Sequence, residues 1–83
     1  MPVIVEFGGI KISLNFIQHE HNPPHIHCEY NGAHCSINLN NLDVMIGEIP
    51  KKQLKKIKKW LKQNQMILLL MWQNQEFKTL PPL

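Results

Sequence analysis

The stretch that decides the fold is His25-Ile26-His27-Cys28-Glu29-Tyr30-Asn31-Gly32-Ala33-His34-Cys35-Ser36-Ile37-Asn38. Asn-Gly suits a two-residue type I′ turn, because both central positions need positive φ. Counting outward from that turn, Tyr30 faces Ala33, Glu29 faces His34, Cys28 faces Cys35, His27 faces Ser36 and Ile26 faces Ile37. Strand side chains alternate faces, so the hairpin separates into two surfaces. Ile26, Cys28, Tyr30, Ala33, Cys35, Ile37 and Leu39 share an apolar one. His25, His27, Glu29, His34, Ser36 and Asn38 share the other. A slip of one residue would scramble both, so the pattern specifies its own register.

Upstream, Ile10, Ile12, Leu14 and Phe16 fall at every second position between Lys11, Ser13 and Asn15, the period of a half-buried strand. Val3, Ile4, Val5 and Phe7 predict a strand before it, joined through Gly8-Gly9. Gln18 to Pro24 reads as a loop held extended by Pro23-Pro24. Downstream, Asn40-Asn41 predicts another turn and Leu42 to Ile46 a further strand ending at Gly47. The period then becomes helical: Leu54, Ile57, Leu61, Leu68 and Met71 form a stripe, with Asn64 in a position that expects an apolar residue. Pro50 fits the first helical position. One helix from about Pro50 to Gln73 is the simplest reading, and a break near Gln63-Asn64-Gln65 is the alternative. Phe77 to Leu83 reads as an extended strap. The expected fold is α+β, an antiparallel meander of four or five strands packed against one long C-terminal helix.

The 83 residues, 43% hydrophobic and 18% charged, suit one folded domain over 1–83 and argue against disorder. Nine lysines and no arginine stand against six carboxylates. Arginine-fork recognition of bases or phosphates is excluded, so any anion must be met by lysine or histidine. The longest apolar run, Met66 to Trp72, is too short to cross a bilayer. With two cysteines and an N-terminus unlike a signal peptide, a reduced cytoplasmic protein is expected.

Four of the five histidines lie between His19 and His27. His25 and His27, two apart on a strand, point the same way; Glu29 continues their line and His34 lies opposite Glu29. The proline loop brings Glu20 and His21 near. Two chemistries stay open for this face. His25, His27 and His34 could ligate a divalent metal such as zinc. Alternatively His25, His27, Glu29 and His21 could work as metal-free acids and bases near neutral pH. The bland reading is that the histidines only solvate an open sheet face. Cys28 and Cys35 should sit opposite each other, as small buried hydrophobes rather than a redox pair.

Seven lysines fall between Lys51 and Lys62. Lys51, Lys55, Lys58 and Lys62 make one helical row, and Lys52, Lys56 and Lys59 the next. No acidic residue balances them from Gln53 to Gln75. A solvated face is the bland account; a compensating anion, whether RNA, DNA or an acidic protein, is the functional one. Trp60 and Trp72 read as packing residues.

Met1-Pro2, Phe7 to Ile10, Glu20 to His27, Gly47 to Pro50 and the spaced Trp60 and Trp72 resemble, from end to end, a small bacterial family known only as domain of unknown function four-one-six-zero. The resemblance marks His21, Pro23, Pro24, His25 and His27 as candidate site residues, with Glu20 in place of the family's usual Asp. It also implies a second small gene beside this one, and hence the toxin-like half of a toxin–antitoxin pair with an antitoxin-like partner. The leading expectation is a toxin acting on RNA, a ribonuclease or metal-assisted hydrolase with the lysine helix holding phosphate. The alternative is a non-enzymatic binding module whose lysine helix docks an acidic protein or nucleic acid.

Overall fold

The computed structural model describes residues 3–14 and 23–83. Five strands precede one helix: β1 (Val3–Phe7), β2 (Ile10–Ser13), β3 (His25–Tyr30), β4 (Ala33–Asn38), β5 (Val44–Gly47) and α1 (Lys51–Asn74). The strands form one sheet in the order β1-β2-β3-β4-β5, every pair antiparallel. This is the expected α+β meander, with five strands. The positions predicted for Asn15, Phe16 and most of the proline loop, including His19, Glu20 and His21, lie outside the described residues.

The β3–β4 hairpin has the register counted from Asn31-Gly32, from Tyr30↔Ala33 through His25↔Asn38. Asn31 and Gly32 take φ values of 47° and 81°, the two positive angles that a type I′ turn demands. Ile26, Cys28, Cys35 and Ile37 are buried in one cluster with Ile57, Trp60, Leu61 and Leu68 of α1. The helix therefore covers the apolar face of the sheet, and its own inward stripe is the one read from periodicity.

α1 runs unbroken through Gln63-Asn64-Gln65. Asn64 donates its side-chain amide to the Trp60 carbonyl at 2.9 Å, which accommodates a polar residue in the apolar stripe. Pro50 stands one place earlier than expected, as the N-cap (φ −50°, ψ 141°), because its backbone is still extended while its carbonyl already accepts the Leu54 N–H at 2.9 Å. Gln75, in the left-handed region at φ 55°, ends the helix. Gln65 donates to the carbonyls of Leu39 (2.7 Å) and Asn40 (3.2 Å), pinning the middle of α1 to the β4–β5 turn.

The two sheet edges are finished differently. In β1 the pairing skips Ile4, between Val3↔Ser13 and Val5↔Ile12, and the Ile4 carbonyl accepts the Leu80 N–H at 2.9 Å. The tail after α1 is thus the expected strap, closed further by the Trp60 indole N–H donating to the Pro81 carbonyl at 2.8 Å. In β5 the pairing skips Met45, between Ile37↔Val44 and Ser36↔Ile46. A bulge of this kind twists an edge away from further pairing. β5 ends at Gly47 with φ +76°, where a Cβ would collide with the His34 carbonyl oxygen, so only glycine fits.

Candidate functional site

The face of the sheet away from α1 carries two rows of side chains that cross the strands. The first is Ser13, His27, Ser36 and Ile46, successive partners on β2, β3, β4 and β5. The second is Glu6, Lys11, Glu29 and His34, likewise partners from β1 to β4. Between the rows lies a cleft of about 310 Å³, lined among others by Lys11, Ser13, His27, Glu29, Ser36 and Ile46.

His27 is half-buried there, with its Nδ1 sharing a hydrogen bond with Ser36 Oγ at 3.3 Å. Ser13, its partner on the other side, is buried. An imidazole hydrogen-bonded to a hydroxyl on one side can exchange a proton with a ligand in the cleft. The second row alternates in charge: Lys11 Nζ stands 3.9 Å from Glu6 Oε1, and His34 Nδ1 stands 3.6 Å from Glu29 Oε1. These pairs are exposed, so each contributes little to stability.

His25 departs from expectation. Its position on the polar side of the alternation predicts an open side chain, yet it is only 7% exposed. The Trp72 ring from the end of α1 lies against it at 5.3 Å between centroids, and the His27 ring stands edge-on at 5.1 Å. Its Nδ1–H donates to the Pro23 carbonyl at 2.8 Å, which fixes the tautomer and leaves Nε2 as the basic nitrogen of the neutral ring. His25 is thus part of the packing between loop, sheet and helix.

The three-histidine metal set is not assembled. The register places His34 across from Glu29, and Ser36 across from His27, so His34 stands away from the His25–His27 pair. Among the described residues no group of three or more His, Cys, Asp or Glu side chains could hold a metal ion. Of the four acid–base candidates, His25 and His27 are adjacent, Glu29 pairs with His34 farther along the strand, and His21 lies outside the described residues.

Cys28 and Cys35 are directly opposite, buried and unbridged. The hydrogen bond with Cys35, and then burial, push the Cys28 thiol well above its ordinary range. The same hydrogen bond lowers Cys35.

The lysines lie on α1, across the sheet from the open face that carries His27 and His34. Ile57, Leu61 and Leu68 face the sheet, so the opposite side of α1 faces away from it. In the row Lys51, Lys55, Lys58 and Lys62, Lys58 is half-buried and the other three are exposed. Lys52, Lys56 and Lys59 of the neighbouring row are all exposed. That row continues at the same alternating spacing through Gln63 to Met66 and Leu70, which are 78% and 53% exposed. The apolar extension escaped the sequence reading because Met66 and Leu70 sit inside a run of seven apolar residues. Only the four- and three-residue spacing from Lys59 separates them from the core stripe.

Residues 9–73 match the family described as Domain of unknown function (DUF4160). The match covers most of the chain, which belongs to that family. No curated protein and no solved structure matches the chain. Among the described residues no helix is long and apolar enough to cross a membrane.

Proposed function

We propose that this is a partner-binding module, in which the outward face of α1 docks an acidic segment of another protein. The observation that carries the reading is the row Lys52, Lys56, Lys59, Gln63, Met66 and Leu70, all exposed on one side of one helix. The lysines cost the helix stability: its first turn holds no acidic residue, it has no side-chain cap, and positive charge there opposes the macrodipole. We read this uncompensated charge as the mark of a binding surface. A small antitoxin-like protein encoded alongside, which the family resemblance implies, is the natural candidate in a cytoplasmic two-gene module.

The ribonuclease reading asks one RNA to meet His27 and the lysines together, and the sheet and the helix lie between the open face and the lysine row. Acid–base chemistry on the open face survives as a second reading without the lysines, favoured by His27 between Ser13 and Ser36 in the cleft.

The deciding experiment titrates the product of the adjacent small reading frame against the protein between about 50 and 200 mM salt. Binding should weaken as salt rises, and the triple reversal Lys52→Glu, Lys56→Glu, Lys59→Glu should abolish it. Binding of single-stranded RNA instead, with a log–log slope of about −0.7 per phosphate neutralised, would overturn the protein-docking reading. For the second reading, any growth inhibition on expression should vanish in His27→Ala and persist in the triple lysine variant. Full inhibition by His27→Ala would end it.

A further inference from the structure

Resting on the reading of α1 as a docking surface, we infer that the partner segment is an amphipathic helix divided along its length. Its carboxylates lie over Lys52, Lys56 and Lys59, and a bulky apolar side chain of its other half enters the groove beside Leu70. That groove, about 390 Å³, is lined by Ile67, Leu70 and Met71 of α1 and by Phe77 where the strap begins, together with the polar Asn74, Glu76 and Lys78. Leu70 lines it and Met66 stands one turn earlier, so the exposed row leads from lysines directly to the groove mouth. Lys59 and Leu70 are eleven residues apart, about 16 Å along the axis. From Lys52 the distance to Leu70 is eighteen residues, about 27 Å, so a partner helix of about five turns spans both halves.

Other occupants satisfy only part of this surface. A nucleic acid would use the lysines but leave Met66 and Leu70 idle, and the two tryptophans of α1 are buried and offer bases no stacking platform. A second copy aligned parallel sets lysine against lysine; aligned antiparallel, it lays the lysine half of each helix on the apolar half of the other. A helix that lies on a membrane has its charges on one face and its apolar residues on the opposite face, which here is taken by the sheet. Charge and apolarity that succeed each other along a single exposed row match a partner in which carboxylates and apolar residues succeed each other in the same way.

The test uses synthetic helical peptides and fluorescence anisotropy with the full chain. One peptide pair carries a glutamate half and a leucine–phenylalanine half, in either order. A control peptide keeps the glutamates and has glutamine in place of the apolar residues. One two-part peptide should bind about tenfold tighter than the control. Leu70→Gln, and separately Met66→Gln, should cut that gain over the control while leaving the unfolding transition unchanged. Equal binding of control and two-part peptides overturns the inference and leaves acidic docking standing, as does a gain that survives both substitutions. No binding of any peptide overturns both. Binding to phosphatidylserine vesicles but to no peptide would assign the row to a membrane surface, and a stable dimer that excludes the peptides would assign it to a second copy; each overturns the inference.

Discussion

The indole N–H of Trp60, a side chain with no solvent exposure, is satisfied by the carbonyl of Pro81, twenty-one positions later in the chain. A core residue of the helix thereby depends on a strap that makes no regular secondary structure. The same strap closes the edge of β1 through Leu80 and Ile4.

Deleting residues 80–83 should therefore cost about 2–3 kcal/mol, since it removes two hydrogen bonds and strands the buried indole donor. Urea unfolding measures the loss, and the tryptophan emission of the folded state should move to longer wavelength. An unchanged midpoint would mean that the strap rests on the surface without stabilising it.

Gly47→Ala should destabilise by at least about 2 kcal/mol, because the residue combines a positive φ with a Cβ aimed at the His34 carbonyl. The damage should centre on β5, visible as faster amide exchange at Ile46 and Glu48 than in the β3–β4 hairpin.

His25→Ala and His27→Ala should separate in stability. Removing His25 opens a hole against Trp72 and leaves the Pro23 carbonyl without this donor, a loss of about 2 kcal/mol. Removing half-buried His27 should cost under about 1 kcal/mol. Activity lost in the His25 variant alone would thus report on folding, and equal midpoints for the two would refute this assignment of His25 to the packing.

The thiol pair predicts a pH dependence with a definite sign. The folded chain holds the Cys28 proton far more tightly than an unfolded cysteine, whose pKa is about 8.5. Below that pH the stabilising contribution is complete. Above pH 9 the unfolded state releases both thiol protons and the folded state keeps that of Cys28, so stability should fall by up to about 1.4 kcal/mol per pH unit. Cys28→Ala should flatten the curve between pH 9 and 10 in equilibrium unfolding.

Lys52→Glu should raise stability by about 0.5–1 kcal/mol while weakening the partner. The new carboxylate meets the positive end of the helix and stands four residues before Lys56. Thermal unfolding and the salt-dependent titration should move in opposite directions; a gain in both would remove the functional reason for the lysine.

The hairpin could be read from residues alone because two independent signals agree: Asn31-Gly32 sets the turn, and five outward pairs keep polar and apolar residues on separate faces. The inward stripe of α1 was legible for the same reason, since Ile57, Leu61 and Leu68 repeat at one period. What stayed hidden depends on contacts between distant residues. The burial of His25 comes from Trp72, forty-seven positions later. The Gln65 link to Leu39 needs the turn and the helix already docked. The bulges at Ile4 and Met45 arise where an extra residue is absorbed into a ladder, and neither leaves a composition signal. Register divides the three histidines: reading the faces put His34 on the correct side, but opposite Glu29, two residues along the β3–β4 ladder from the His27–Ser36 pair.

A sheet with its open face on one side and a helix with its exposed row on the other gives this small chain two surfaces that share no side chain. A molecule held by the helix leaves the cleft around His27 uncovered, and a ligand in the cleft leaves the helix uncovered. Occupancy of the two is additive unless the intervening core itself deforms. Saturating one while titrating the other would thus turn any measured antagonism into a direct reading of how stiffly Ile26, Ile37, Ile57 and Leu61 couple the sheet to the helix.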